Sequence, residues 1–148
     1  AAARNIGFDN SKGEYVMYCD SDDRFHNVGV FGLLIGKEKG YDYIAASWLR
    51  EITYDSGLQY KLEQYDSTCV HAKVFKRSFL LKYNIRFLDE FRCHEDTYFV
   101  GLAYDLADNK KFINYITYVW CANKNSMTRE KEESFLYKEF HTFHKSAY

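Results

Sequence analysis

Proline is absent from the 148 residues, where average usage of about 5% would supply roughly seven, so no proline-rich linker divides the chain. Its four cysteines, Cys19, Cys69, Cys93 and Cys121, stand far apart and form no C-x-x-C pair, which excludes a zinc knuckle and a disulfide-dense mini-protein and predicts reduced, partly buried thiols. Basic excess is missing too: 20 Lys and Arg against 21 Asp and Glu leave a formal charge of -1, no field to attract a nucleic acid. No apolar run is long enough to span a bilayer, and "AAARNIGFDNSKG" has neither the basic start nor the apolar middle of a secretory signal. These absences predict a soluble, cytoplasmic protein, the inner face of the membrane included, without a transmembrane segment.

The length suits one domain, residues 1–148. Tyrosine (14) and phenylalanine (12) are abundant, and their first use is core packing, although rings also stack on sugars. The opening residues suit a helix stopped by Gly13. "EYVMYC", 14–19, is nearly continuous in apolar character, as in a central strand covered on both faces and ended by Asp20. "VGVFGLLIGKEKG", 28–40, predicts a helix and "YDYIAASWL", 41–49, a second buried strand. Residues 50–66 alternate in polarity around "DSG", 55–57, a hairpin signature. "KRSFLLKYN", 76–84, is a short helix stopping at Asn84. "HEDTYFVGLAYDLADN" opens with carboxylates, which favour a helix N-terminus, and predicts a helix through Ala107. "FINYITYVWCA", 112–122, is another strand, and residues 129–145 form an amphipathic helix. The order implies a mixed α/β domain, with a mostly parallel sheet flanked by helices.

The stretch "YVMYCDSDD" sends an apolar segment into three carboxylates within four positions. At the carboxyl edge of a strand, where α/β proteins bind ligands, Asp20 and Asp22 can turn oxygens toward one hard cation, Mg²⁺ or Mn²⁺, with phosphate completing the coordination. A helix cap explains one acidic residue, not three. An EF-hand is excluded, because counting from Asp20 puts Arg24 and Phe25 where a ligand and the turn glycine belong. A haloacid-dehalogenase-like phosphatase also sets D-x-D after a buried strand, with Asp20 as nucleophile, but Arg24 replaces its usual Thr or Val. The pair Glu95-Asp96 in "CHEDTYF" reads either as ordinary first-turn charge or as a general base.

Taken in order, Ala3-Arg4-Asn5-Ile6-Gly7, Lys12-Gly13-Glu14-Tyr15, Asp20-Ser21-Asp22-Asp23 and Glu95-Asp96 resemble the motifs of the family-2 glycosyltransferases, inverting enzymes with the GT-A fold. "VFKRSFLLKYNIRF", 74–87, and "NKNSMTR", 123–129, are similar to the flanking segments of that family. The resemblance implies transfer of a sugar from a nucleotide-diphosphate sugar, a UDP-sugar, to a glycan or other acceptor hydroxyl with inversion. It implies Asp96 as catalytic base, with Glu95 and His94 orienting acceptor or base. Arg4, Asn5, Asp20 and Ser21 would bind the donor, while Asp22 with Asp20 would bind Mn²⁺ or Mg²⁺ at the diphosphate. Those enzymes begin with a βαβ segment that holds the nucleotide base, and nothing here corresponds to it. The chain is therefore expected to be the metal- and acceptor-side part of an N-terminally truncated GT-A fold, open to self-association through uncovered sheet edge and apolar surface. The alternative is a non-catalytic module that keeps the fold and binds a nucleotide, glycan or protein.

The remaining aromatic and imidazole groups have plainer readings. His141 and His144 share a face of a solvated helix, and His26 and His71 carry little signal. Trp48 and Trp120 are core residues, with an acceptor groove as the second reading for Trp48.

Overall fold

The computed structural model describes residues 1–30, 40–91 and 94–123. The helix expected over 129–145, with His141 and His144, lies outside these residues, as do Cys93 and most of the helix expected over 28–40. The described elements are α1 (Ala2–Asn10), β1 (Tyr15–Val16), β2 (Arg24–Phe25), β3 (Tyr43–Tyr54), β4 (Gly57–Glu63), β5 (Lys73–Lys76), α2 (Arg77–Lys82), α3 (Glu95–Leu106) and β6 (Lys110–Trp120). The six strands form one sheet in the order β1-β5-β3-β6-β2, with β4 also paired to β3.

The sheet is mixed but not mostly parallel. Among the described pairings only β3 with β6 is parallel; β1 with β5, β5 with β3, β4 with β3 and β2 with β6 are antiparallel. The reason lies in the connections: β3 turns straight back into β4, and β5 continues in the direction of β4 along the same edge, so both run antiparallel to β3. The path from β5 to β6 carries α2 and α3, long enough for the crossover that a parallel pair requires.

β1 also departs from expectation. Only Tyr15 and Val16 join the ladder, and the strand lies at one end of the described order, paired to β5 alone. The apolar character of 14–19 reflects helix contact: Tyr18 packs edge-on against Phe87 and Phe99, with ring centroids 5.1 and 5.7 Å away. Phe87 and Phe99 stack in parallel at 4.1 Å. These rings, with Phe8, Phe75 and Phe79, make up the largest core cluster, so much of the aromatic excess is packing.

β3 is one strand of 12 residues that absorbs the first arm of the expected hairpin. Tyr43–Ala45 pair with β5 and Trp48–Tyr54 with β4 on the same edge. The hairpin closes at Asp55 and Ser56, with Gly57 at φ +117°, a conformation that costs glycine little. α1 stops at Asn10 rather than at Gly13, because Ser11 turns extended and gives its N–H and hydroxyl to the Phe8 carbonyl at 3.0 and 2.7 Å. α2 ends as anticipated, with Asn84 left-handed at φ +50° and Ile85 N–H donating to the Leu80 carbonyl at 2.9 Å. Among the described residues no helix is long and apolar enough to cross a membrane. Cys19, Cys69 and Cys121 are free thiols, Cys19 exposed rather than partly buried.

Candidate functional site

α1 projects Arg4 and Asn5 in opposite roles. Arg4 donates from Nη2 to Asp20 Oδ1 at 2.5 Å and from Nη1 to Glu95 Oε1 at 2.7 Å, so one guanidinium joins the acidic turn to the start of α3. Its planar fork suits two carboxylates at once, and Phe87 lies against it, with its ring centroid 5.2 Å from the guanidinium carbon. Asn5 turns to the backbone instead: its amide nitrogen donates to the Phe87 carbonyl at 2.8 Å and its oxygen accepts from Phe87 N–H at 3.1 Å. Asn5 thus supports the segment leading into α3 rather than lining an opening.

Asp20 to Asp23 form a hydrogen-bonded turn, Asp23 N–H to the Asp20 carbonyl at 3.1 Å, which begins beyond the end of β1 at Val16. Asp22 and Ser21 are exposed and Asp20 is half-buried. Asp23 faces inward, accepting from the Tyr118 hydroxyl at 2.8 Å and from Cys121 N–H at 2.8 Å. Its carboxyl is pushed up by burial. Asp22 Oδ2 accepts from Asn123 Nδ2 at 2.9 Å.

His94 precedes α3 in a left-handed conformation, φ +62°, which swings Glu95 and Asp96 into the first helical turn. Asp96 Oδ1 accepts from Thr97 N–H at 2.9 Å. Burial first, and the neighbouring Glu95 second, push the Asp96 carboxyl above its ordinary value, the direction a general base requires. A cleft of about 730 Å³, lined by Arg4, Tyr15, Met17, Asp20, Ser21 and Glu95 among others, opens beside this cluster.

The donor set bears on a metal. Among the described residues no group of three His, Cys, Asp or Glu side chains could hold an ion, and Asp20 shares an oxygen with Arg4. The arrangement does not fit a closed structural site. The two carboxylates of one turn, Asp20 and the exposed Asp22, are within the one or two that Mg²⁺ commonly takes from a protein when phosphate supplies the remaining oxygens.

Of the residues expected from sequence, Arg4, Asp20 and Glu95 meet directly, with Asp96 adjacent and Ser21 and Asp22 on the same turn. Asn5 stands behind them. Three others were missed: Asp23, Tyr118 and Cys121 brace the turn across 95 residues or more, a spacing with no local signature. His71 and Trp48 are buried, at 6% and 2% exposure. The His71 ring stacks on Tyr118 at 4.8 Å and meets Trp48 edge-on at 4.4 Å, so Trp48 takes the core reading. His26 is exposed beside Asn27.

No family model matches the chain, and no curated protein matches it. Solved structures do. Staphylococcus aureus TarS 1–349 in complex with UDP-GlcNAc superimposes with a TM-score of 0.68 over 86% of this chain and 40% of that one, at 17% identity. TarS 1–349 in complex with UDP gives 0.63 over 82% of this chain and 40% of that one, at 18% identity. The chain spans about 40% of the length of TarS 1–349. TarS is a glycosyltransferase, and the likeness shows that the mixed α/β fold of this chain is shared with part of it.

Proposed function

We propose that this chain is the metal- and acceptor-side part of a family-2, GT-A glycosyltransferase that moves a sugar from a UDP-sugar to an acceptor hydroxyl with inversion. The observation that carries this reading is the double ion pair of Arg4, which joins the D-S-D-D turn at Asp20 to the start of α3 at Glu95, beside a cleft lined by Arg4, Asp20, Ser21 and Glu95. The fold shared with a protein solved with UDP and UDP-GlcNAc supports it.

In this reading Asp96 takes the proton of the acceptor hydroxyl as its oxygen attacks the anomeric carbon from the face opposite the diphosphate. The new glycosidic bond forms while the bond from carbon to phosphate oxygen breaks, and the electron pair leaves on UDP. Glu95, pinned by Arg4, keeps Asp96 oriented and by its charge favours proton uptake there. Asp20 and Ser21 face the donor. A divalent cation at Asp22 and Asp20 supplies charge neutralisation for the departing diphosphate when it is bound.

Calorimetry on the full-length gene product, with UDP and UDP-GlcNAc in the presence of Mn²⁺, tests the reading. Binding is expected, weakened about tenfold or more in Asp22→Ala. Asp96→Asn is expected to cut transfer by about a thousandfold, within the span of general-base contributions, while donor affinity stays within about twofold. Absence of Mn²⁺-dependent binding to any common nucleotide sugar sinks the transferase. Binding without transfer, unaffected by Asp96→Asn, identifies a non-catalytic module.

A further inference from the structure

The acidic turn is not self-supporting. Its geometry comes from the carboxyl end of β6, which meets it through a buried tyrosine. Tyr118 is fully buried. Its hydroxyl accepts from Asp20 N–H at 3.1 Å and donates to Asp23 Oδ2 at 2.8 Å. The other Asp23 oxygen accepts from Cys121 N–H at 2.8 Å, and two residues on, Asn123 donates to Asp22. The strand itself continues the stitching, since Arg24 and Phe25 pair with Val119 and Tyr118 directly after the turn.

The Tyr118 ring has little freedom to move. Its face stacks on His71, nearly parallel at 6°, and Phe25 meets it edge-on at 6.0 Å. A phenol held this way fixes where its oxygen lies, and that oxygen in turn fixes the first and last residues of the turn together. Asp23, with both oxygens engaged, is the inward anchor; Asp20 lines the cleft and Asp22 is exposed on the same turn. A reading of Asp23 as a third metal ligand conflicts with that occupancy.

We infer that Tyr118 is a positioning residue for the D-S-D-D turn, acting through Asp23 and the Asp20 amide to present Asp20 and Asp22 to a metal-bound nucleoside diphosphate. The inference rests on the proposed donor chemistry for its consequence, but its structural half stands alone. Removing the hydroxyl takes one of two hydrogen bonds from the partly buried Asp23 carboxylate and the partner of the Asp20 amide, a loss of the size that charged hydrogen bonds carry.

Tyr118→Phe keeps the ring and its stack on His71 and deletes only the oxygen. Amide exchange at Asp20 is expected to accelerate about tenfold, with UDP binding in the presence of Mn²⁺ weakened about tenfold and the loss in kcat/KM carried by KM. Without Mn²⁺, UDP binding is expected to match that of the unsubstituted protein. Asp23→Ala should reproduce these effects, and the double variant should be no worse than either single one. Asp23→Asn, which retains an acceptor for Cys121 N–H and can donate to the Tyr118 oxygen, should stay within about threefold of the unsubstituted protein. Unchanged Asp20 exchange in both Tyr118→Phe and Asp23→Ala overturns the inference. So does a loosened turn with Mn²⁺-dependent UDP affinity intact, or an equal loss of affinity with and without the metal. The UDP measurements use the full-length gene product; if that protein, unsubstituted, binds no UDP, the transferase reading fails, and the exchange rates alone decide whether Tyr118 holds the turn.

Discussion

His71 shows how far a fold can alter one side chain. Burial, and then the positive charge of Lys73, push its imidazole down to about 4. In the unfolded chain it titrates near its ordinary value of about 6.5. The folded state therefore resists protonation that the unfolded state accepts, so His71 favours folding fully above about pH 6.5, and that advantage is lost as pH falls from there toward 4. The loss is about 3 kcal/mol. Urea denaturation at pH 7 and pH 4.5 should show the protein losing about 2 kcal/mol more than His71→Phe, which keeps a ring against Tyr118 without a titrating group. Parallel losses in the two proteins would mean that His71 titrates normally. Asp66 adds to acid lability over a lower range. Burial raises its carboxyl, but Lys73 and hydrogen bonds from Thr68 outweigh that and hold it at about 2, so its contribution disappears between about pH 4 and pH 2.

Between residue and fold, α1 acts as a two-sided fastener. Arg4 reaches the acidic turn and α3, while Asn5, one position on, clasps Phe87 through both of its polar atoms. Phe87 in turn stacks on Phe99 of α3. Asn5→Ala leaves the Phe87 N–H and carbonyl without this partner and is expected to destabilise the protein by about 2 kcal/mol, measured by urea denaturation. A change below about 0.5 kcal/mol would mean that water replaces the clasp. Elements with local punctuation were legible in the sequence: the hairpin through Gly57, the stop of α2 at Asn84, the acidic first turn of α3. β5 was not, since four residues bounded by lysines carry no strand pattern, and Lys73, buried at 2% exposure, finds its partners in Asp66, 3.1 Å away, and the Cys69 carbonyl. β1 misled in the other direction, its apolar run serving aromatic packing rather than a central ladder.

At the scale of the whole molecule, the β3–β4 hairpin leaves Leu58, Tyr60 and Leu62 about half exposed, on alternate positions of a strand paired on one side among the described residues. An apolar, singly paired strand invites pairing with another copy. Light scattering is expected to show concentration-dependent association that Tyr60→Lys reduces; a constant monomer mass at every concentration contradicts it. The candidate site divides along the same line as the fold. Its carboxylates were visible in sequence because D-S-D-D and the pair before α3 are dense, short-range patterns. The partners that orient them were not.

What the amino-acid order determined by itself depends on near neighbours: the stop of α2, the start of α3, the hairpin turn, the acidic turn after an apolar segment, and the α/β class that their succession implies. The folded chain alone decided strand direction, the inward rotation of Asp23 onto Tyr118, the burial that lowers the basicity of His71 and the meeting of Asp20 with Glu95 at Arg4. The physical reason is range. Backbone preferences and turn chemistry act over a few residues, whereas hydrogen bonds and ion pairs spanning 91 or 98 positions exist only after packing has brought their ends within 3 Å or so, and no local pattern records which ends will meet.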